Sequence, residues 1–222
     1  FEFPSPEHVQ DDIIAYGGNL SPGMLLSAYR QGIFPWYGEK DPLLWWSPNP
    51  RFILMPNELH IPGSLKRIIR QKSFTFTMNK CFENIITECA HTKRPGQSGT
   101  WIFDEVIKAY IELHRFGYAH SFEAWTLEAN GNTKLAGGFY GVLLGQVFFG
   151  ESMFSRVPNA SKSAFVTFVK NFRNCGGQLI DSQIYTDHIA RFGGKNISRD
   201  AFLHLESMYL NSSLTKNLQS CY

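Results

Sequence analysis

The feature that most restricts how this 222-residue chain can fold is a series of three apolar segments closed by an amphipathic helix. "AHSFEAWTL" (119–127), "KLAGGFYGV" (134–142) and "QVFFGESMF" (146–154) each read as a strand. Asn130-Gly131 marks the first turn and Gly145 the second, so both connections are short. Short connections join antiparallel neighbours, and the stretch predicts a meander. The third segment is apolar on both faces, which a sheet accepts when cover lies on both sides. Part of that cover follows directly. After Pro158, Phe165, Phe168, Val169 and Phe172 stand at i, i+3, i+4 and i+7 of a helix expected over 160–174, an apolar stripe.

Other helices are expected over Ser64–Gln71, over Cys81–Ala90, and from Asp104, as its cap, to about Phe116. Val106, Tyr110 and Leu113 share a face of the last. "SFTFTM" (73–78) alternates as a strand does, and "HTKRPGQSG" (91–99) reads as a loop. Downstream, "QLIDSQI" (178–184) predicts a further strand, and two helical pieces flank Gly193-Gly194. Helix, three antiparallel strands, helix, strand, helix is an α+β order. It matches the acyl-CoA N-acyltransferase-like fold, a mixed sheet covered by helices. Residues 1–57 differ: they are rich in Pro, Gly and aromatics, with one clear helix, Pro22–Gln31, capped by Ser21. They are expected to form a small N-terminal domain beside a larger, acyltransferase-like domain at 58–222.

The polar residues inside apolar runs point to chemistry. Glu151 sits in "VFFGESMFS", where a carboxylate has no cheap place unless something pairs with it or uses it. Asp181 and Gln183 are two apart and would face one side of a strand. Convergent polar groups in apolar strands signal a functional site. A Glu, an Asp and a Gln, with neither nucleophile nor metal, could orient an incoming amine and handle its proton, while an activated acyl donor is positioned. Gly150-Glu151-Ser152 is no nucleophile elbow, because Phe154 stands where the final Gly is needed. "SRVPNASKS" lacks the glycines with which acyl-CoA enzymes hold pyrophosphate, which weighs against CoA.

Charge bears on the partner. The formal net charge is only +2, so nucleic-acid binding would need a local patch. Lys66, Arg67, Arg70 and Lys72 form one on a short helix and its exit, while Trp36 and Trp101 could each stack on a base. None of the four Cys has C-x-x-C spacing, and no leader or apolar run of about 18 residues is evident. A cytoplasmic protein with free thiols, without metal, cofactor or membrane partner, is expected.

Several motifs then converge. "GGNLSPGMLLSAYRQGIFPWY", "LLWWSPNPR", "GTWI", "GGFYGV", "FFGESMFSRVPNASK" and "LIDSQ" closely resemble leucyl/phenylalanyl-tRNA–protein transferases over nearly the whole chain. The resemblance implies transfer of Leu or Phe from aminoacyl-tRNA to proteins beginning with Arg or Lys, creating an N-degron in bacteria. It implies catalytic roles for Asp181, Gln183 and Glu151, and an adenosine sandwich between Trp36 and Trp101. It implies a pocket for the transferred side chain formed by Phe139, Phe148, Met153, Phe165, Phe168, Phe172, Ile180 and Ser182. The tRNA-facing cluster corresponds to Lys66, Arg67, Arg70 and Lys72. Phe139 stands where the family often has Met, Phe165 where it often has Leu, Ser182 where Cys is common, and Gln71 where a basic residue is common.

Overall fold

A computed structural model describes residues 1–92 and 99–222; the centre of the loop expected at 91–99 lies outside them. In chain order the elements are β1 (Ile13–Tyr16), α1 (Pro22–Tyr29), β2 (Phe34–Pro35), β3 (Leu44–Trp46), β4 (Arg51–Leu54), α2 (Gly63–Arg70) and β5 (Thr75–Met78). Then follow α3 (Phe82–His91), α4 (Asp104–Arg115), β6 (Ala119–Leu127), β7 (Thr133–Leu144), β8 (Val147–Ser155) and α5 (Ala160–Asn174). The chain continues with β9 (Leu179–Asp181), α6 (Asp187–Ala190), β10 (Lys195–Ile197) and α7 (Arg199–Leu210). The helix expected at 160–174 and the first meander strand have the expected bounds. Asp104 does not cap α4: Phe103 holds that position, and Asp104 adds its charge to the first turn, where the helix dipole favours an anion.

β1, β3 and β2 make a small three-stranded sheet, and seven strands in the order β10-β4-β9-β8-β7-β6-β5 make a large one. All described pairs in the large sheet are antiparallel except β8 with β9. The α+β expectation, a helix-covered mixed sheet with a small N-terminal unit, is what the chain forms. By its hydrogen bonds β4 belongs to the large sheet, pairing with β10 and β9. We therefore propose that the N-terminal domain ends within 47–50 and not at 57.

Cover lies on both faces. One face packs Phe122, Phe139, Phe148 and Ile180 under α5 and Leu65 of α2. The other packs Tyr140, Val147 and Phe149 against α3, α4 and the small sheet. Burying a Phe side chain contributes about 1.5–3 kcal/mol, so the aromatic stripe of α5 anchors the first face; Phe165, Phe168, Val169 and Phe172 are all buried.

Candidate active site

β8 changes face halfway along. Phe148 and Met153 pack toward α5, while Phe149 and Phe154 pack toward the opposite layer. Residues an odd number apart share a face only if one residue is extra. The register shows it: Tyr140 pairs with Ser152 and Gly141 with Gly150, leaving Glu151 as the bulged residue. A bulge unpairs one residue and re-aims its side chain. Gly141 permits this approach, since a Cβ there would lie 2.2 Å from the Phe149 carbonyl oxygen.

The neighbouring pairing ends at the same level. Parallel β8 and β9 run together to Phe149 and Asp181 and pair no further. A cavity of about 240 Å³ lies along the residues beyond, walled by Gly150–Met153 on one side and Asp181–Ile184 on the other.

Glu151 borders this cavity. Its Oε1 accepts hydrogen bonds from the Tyr29 hydroxyl at 2.7 Å and Gln183 Nε2 at 3.0 Å. Its Oε2 accepts one from the Tyr110 hydroxyl at 3.1 Å. The two hydroxyl oxygens lie 2.5 Å apart. Burial pushes the Glu151 carboxyl up to about 7, and the Asp181 charge adds to this, against the lowering by the hydrogen bonds from Tyr29, Tyr110 and Gln183. Burial, followed by the Glu151 charge, raises both tyrosines well above their ordinary range, so they stay protonated and can donate.

Asp181 and Gln183 do not share one strand face. β9 ends at Asp181, and Gln183 takes a left-handed backbone, φ 64°. The Asp181 side chain is fully buried in an ion pair with Arg51, Nη2 to Oδ2 at 2.6 Å and Nε to Oδ1 at 2.9 Å. Its Oδ1 also accepts the Gln183 backbone N–H at 2.8 Å. Of the two carboxylates, Glu151 is open to the cavity and Asp181 is already paired with Arg51.

Two indoles, Trp36 and Trp101, line the same cavity, both half-buried. Trp36 is backed by Trp46, with ring centroids 5.4 Å apart.

Two protein-family models match the sequence: the leucyl/phenylalanyl-tRNA protein transferase over residues 53–207, and the N-terminal domain of that transferase over 18–49. The leucyl/phenylalanyl-tRNA–protein transferase of Anaeromyxobacter sp. (strain Fw109-5) is 53% identical over 202 residues, covering 90% of this chain and 84% of the relative. The chain belongs to the leucyl/phenylalanyl-tRNA–protein transferase family. The transferase of the same name from Myxococcus xanthus (strain DK1622) is 50% identical over 202 residues, again 90% and 84% of the two chains. That of Oleidesulfovibrio alaskensis is 49% identical over 203 residues, 91% and 82%. A solved structure of a functionally unknown conserved protein from Staphylococcus epidermidis aligns over 84% of this chain and 68% of its own, at 8% identity and a TM-score of 0.42, too low to carry an argument.

Against the family's expected side-chain pocket, Phe139, Phe148, Met153, Phe165, Ile180 and Ser182 line the cavity. Phe168 and Phe172 do not. Both have no exposed surface, and their rings stack on each other with centroids 5.3 Å apart. Phe168 braces Phe148 from behind at 4.5 Å. The α5 stripe is wide enough to fill a core layer, and Phe165, one turn nearer the start of the helix than Phe168, reaches the cavity. Lys66, Arg67 and Arg70 are exposed on α2, Lys72 is exposed just after it, and none lines the cavity.

Sequence reasoning passed over Tyr29, Tyr110 and Arg51. Tyr110 reads as an ordinary core-face residue of its helix, and nothing local connects either tyrosine to Glu151, 122 and 41 residues away. Arg51 left a signal: it opens an unbroken apolar run, "RFILM", as Glu151 interrupts another. Among the described residues, no group of three or more His, Cys, Asp or Glu is arranged to hold a metal, and no helix is long and apolar enough to cross a membrane.

Proposed function

We propose that this chain transfers Leu or Phe from aminoacyl-tRNA to the N-terminal Arg or Lys of proteins in the bacterial cytoplasm, forming a peptide bond that marks them for degradation. The observation that supports it best is a single cavity holding two indoles, an apolar wall and one carboxylate held by tyrosine hydroxyls. Trp36 and Trp101 would take the terminal adenosine between them. Phe139, Phe148, Met153, Phe165 and Ile180 would receive the apolar side chain being transferred, with Ser182 beside them and Phe168 and Phe172 as their backing.

The acceptor's amine nitrogen attacks the ester carbonyl carbon. The C–N bond forms, the bond from that carbon to the ribose oxygen breaks, and the ribose hydroxyl regains a proton. The ester is already activated, so no ATP is needed. Glu151 is suited to draw in the cationic N-terminus and take its proton, because a carboxyl near 7 is matched to an α-amino group near 8. Gln183 donates its NH₂ to Glu151, leaving its amide oxygen to orient the incoming amine. Asp181 belongs to this constellation through Gln183.

Incubation with radiolabelled Leu-tRNA or Phe-tRNA and a peptide starting with Arg, without ATP, should yield labelled peptide. Intact charged tRNA with no labelled peptide overturns the reading.

Two further results are expected. Trp36→Ala and Trp101→Ala proteins, once shown to be folded, should each lose roughly 1–3 kcal/mol of affinity for an aminoacyl-adenosine donor; unchanged affinity refutes stacking. Replacing Lys66, Arg67 and Arg70 together by Ala should weaken tRNA binding and flatten its dependence on salt, since each lost phosphate contact releases fewer counterions. Transfer from a short aminoacyl-adenosine should persist, and an unaltered salt slope would show that α2 does not face tRNA.

A further inference from the structure

Arg51 opens β4 with a side chain only 1% exposed. Its guanidinium is closed off in every direction. Nε and Nη2 form a two-pronged contact with Asp181 at 2.9 and 2.6 Å, and Nη1 donates to the Gly32 carbonyl at 3.1 Å. The guanidinium carbon lies 4.9 Å from the centre of the Phe34 ring and 4.3 Å from that of Phe202. Such a planar fork between rings fixes the orientation of the carboxylate it grips, which a flexible ammonium does not. Glu206 lies close by, fully buried; burial raises its carboxyl well above the ordinary range, so Asp181 is the anion that Arg51 holds.

The grip has a consequence two residues beyond the strand. The Asp181 oxygen held by Arg51 Nε also accepts the Gln183 N–H. Gln183 takes a left-handed conformation that a non-glycine residue keeps only when its surroundings impose it. Phe52, the neighbour of Arg51 on β4, donates its N–H to the Gln183 carbonyl at 3.2 Å, so β4 holds the residue from both sides. The turn this produces carries the Gln183 carboxamide to Glu151 at 3.0 Å.

We infer that Arg51 is a positioning residue for aminoacyl transfer: it locks Asp181, Asp181 locks the main chain of Gln183, and the carboxamide is thereby set against Glu151. This rests on the transfer reaction proposed above and on the place of Gln183 in it. Asp181 then serves the reaction through Gln183, and the acceptor's positive charge is met by Glu151.

The test compares Arg51→Lys, which keeps charge and loses the fork, with Gln183→Ala and the double variant. Single-turnover transfer from saturating charged tRNA is followed over a range of Arg-peptide concentrations, with folding checked by circular dichroism and thermal melting. Arg51→Lys should slow transfer at saturating peptide tenfold or more and leave the half-saturating peptide concentration within twofold. In the Gln183→Ala background the same substitution should slow transfer less than twofold, because the group it positions is gone. A merely structural Arg51 would give the same fold-loss in both backgrounds, which overturns the inference, as does full activity in folded Arg51→Lys or a loss confined to peptide affinity. If Arg51→Lys does not fold, Asp181→Asn, which keeps shape and weakens the same link, is put through the same cycle and read the same way. A wild-type protein inactive on charged tRNA refutes the proposed function instead, so the two failures are distinguishable.

Discussion

Glu151→Gln should slow transfer at saturating charged tRNA about a hundredfold, roughly 2.7 kcal/mol of transition-state stabilisation, while donor binding stays within twofold. The substitution keeps shape, and the carboxamide oxygen can still accept from Tyr29 or Tyr110. It removes the charge that would draw the cationic amine and the oxygen that would take its proton. The pH dependence separates this from a structural effect. With Glu151 at about 7, the wild-type rate should climb as pH rises through 7 and the carboxyl ionises, and in the Gln variant the rise should move up toward about 8, where the acceptor's own amine loses its proton. Stability should move the other way. The folded carboxyl titrates near 7 and the unfolded one near 4.5, so between these values the folded state binds more protons and loses stability as pH rises. Glu151→Gln removes that loss: it should be neutral near pH 4.5 and stabilising by about 3 kcal/mol at pH 8. Denaturant melts at the two pH values measure this. A folded Glu151→Gln protein with the wild-type rate would return the residue to a packing role.

Arg51→Met should cost about 3–5 kcal/mol, since it leaves Asp181 as a buried anion without its partner. Replacing both members, Arg51→Met with Asp181→Leu, should recover most of that stability, because an apolar pair of similar volume between Phe34 and Phe202 has no charge to desolvate. Transfer should not return with it: the Gln183 N–H loses its acceptor and the left-handed turn loses its restraint. Denaturant melts paired with single-turnover rates decide the matter. A double variant that is both stable and active would show that the ion pair serves only the fold.

How much of this could be read in advance differs by element. The meander and the helix after it were legible because strand alternation, turn residues and the stripe at Phe165, Phe168, Val169 and Phe172 are local patterns. Glu151 and Asp181 were legible as polar residues in apolar runs, and Gln183 by its spacing from Asp181. The shared strand face expected from that spacing does not form, because the strand stops at Asp181 and Gln183, two residues on, is left-handed. The family resemblance implies Phe168 and Phe172 at the pocket, yet both are fully buried behind its lining, since a helical stripe shows which residues face inward but not which of them meet a cavity.

The sequence by itself determined which segments become strands and helices, that the sheet must be covered on both faces, and which carboxylates have no apolar reason to be where they are. These follow from hydrophobic period and turn chemistry, which act over a few residues. Tertiary structure alone decided that Glu151 is the bulged residue, that Tyr29 and Tyr110 hold it, and that Arg51 neutralises Asp181, 130 residues away. Those outcomes depend on strand register and on contacts between distant elements. A one-residue shift in register moves a side chain to the other face of a sheet, and no local pattern encodes the bulge that makes it.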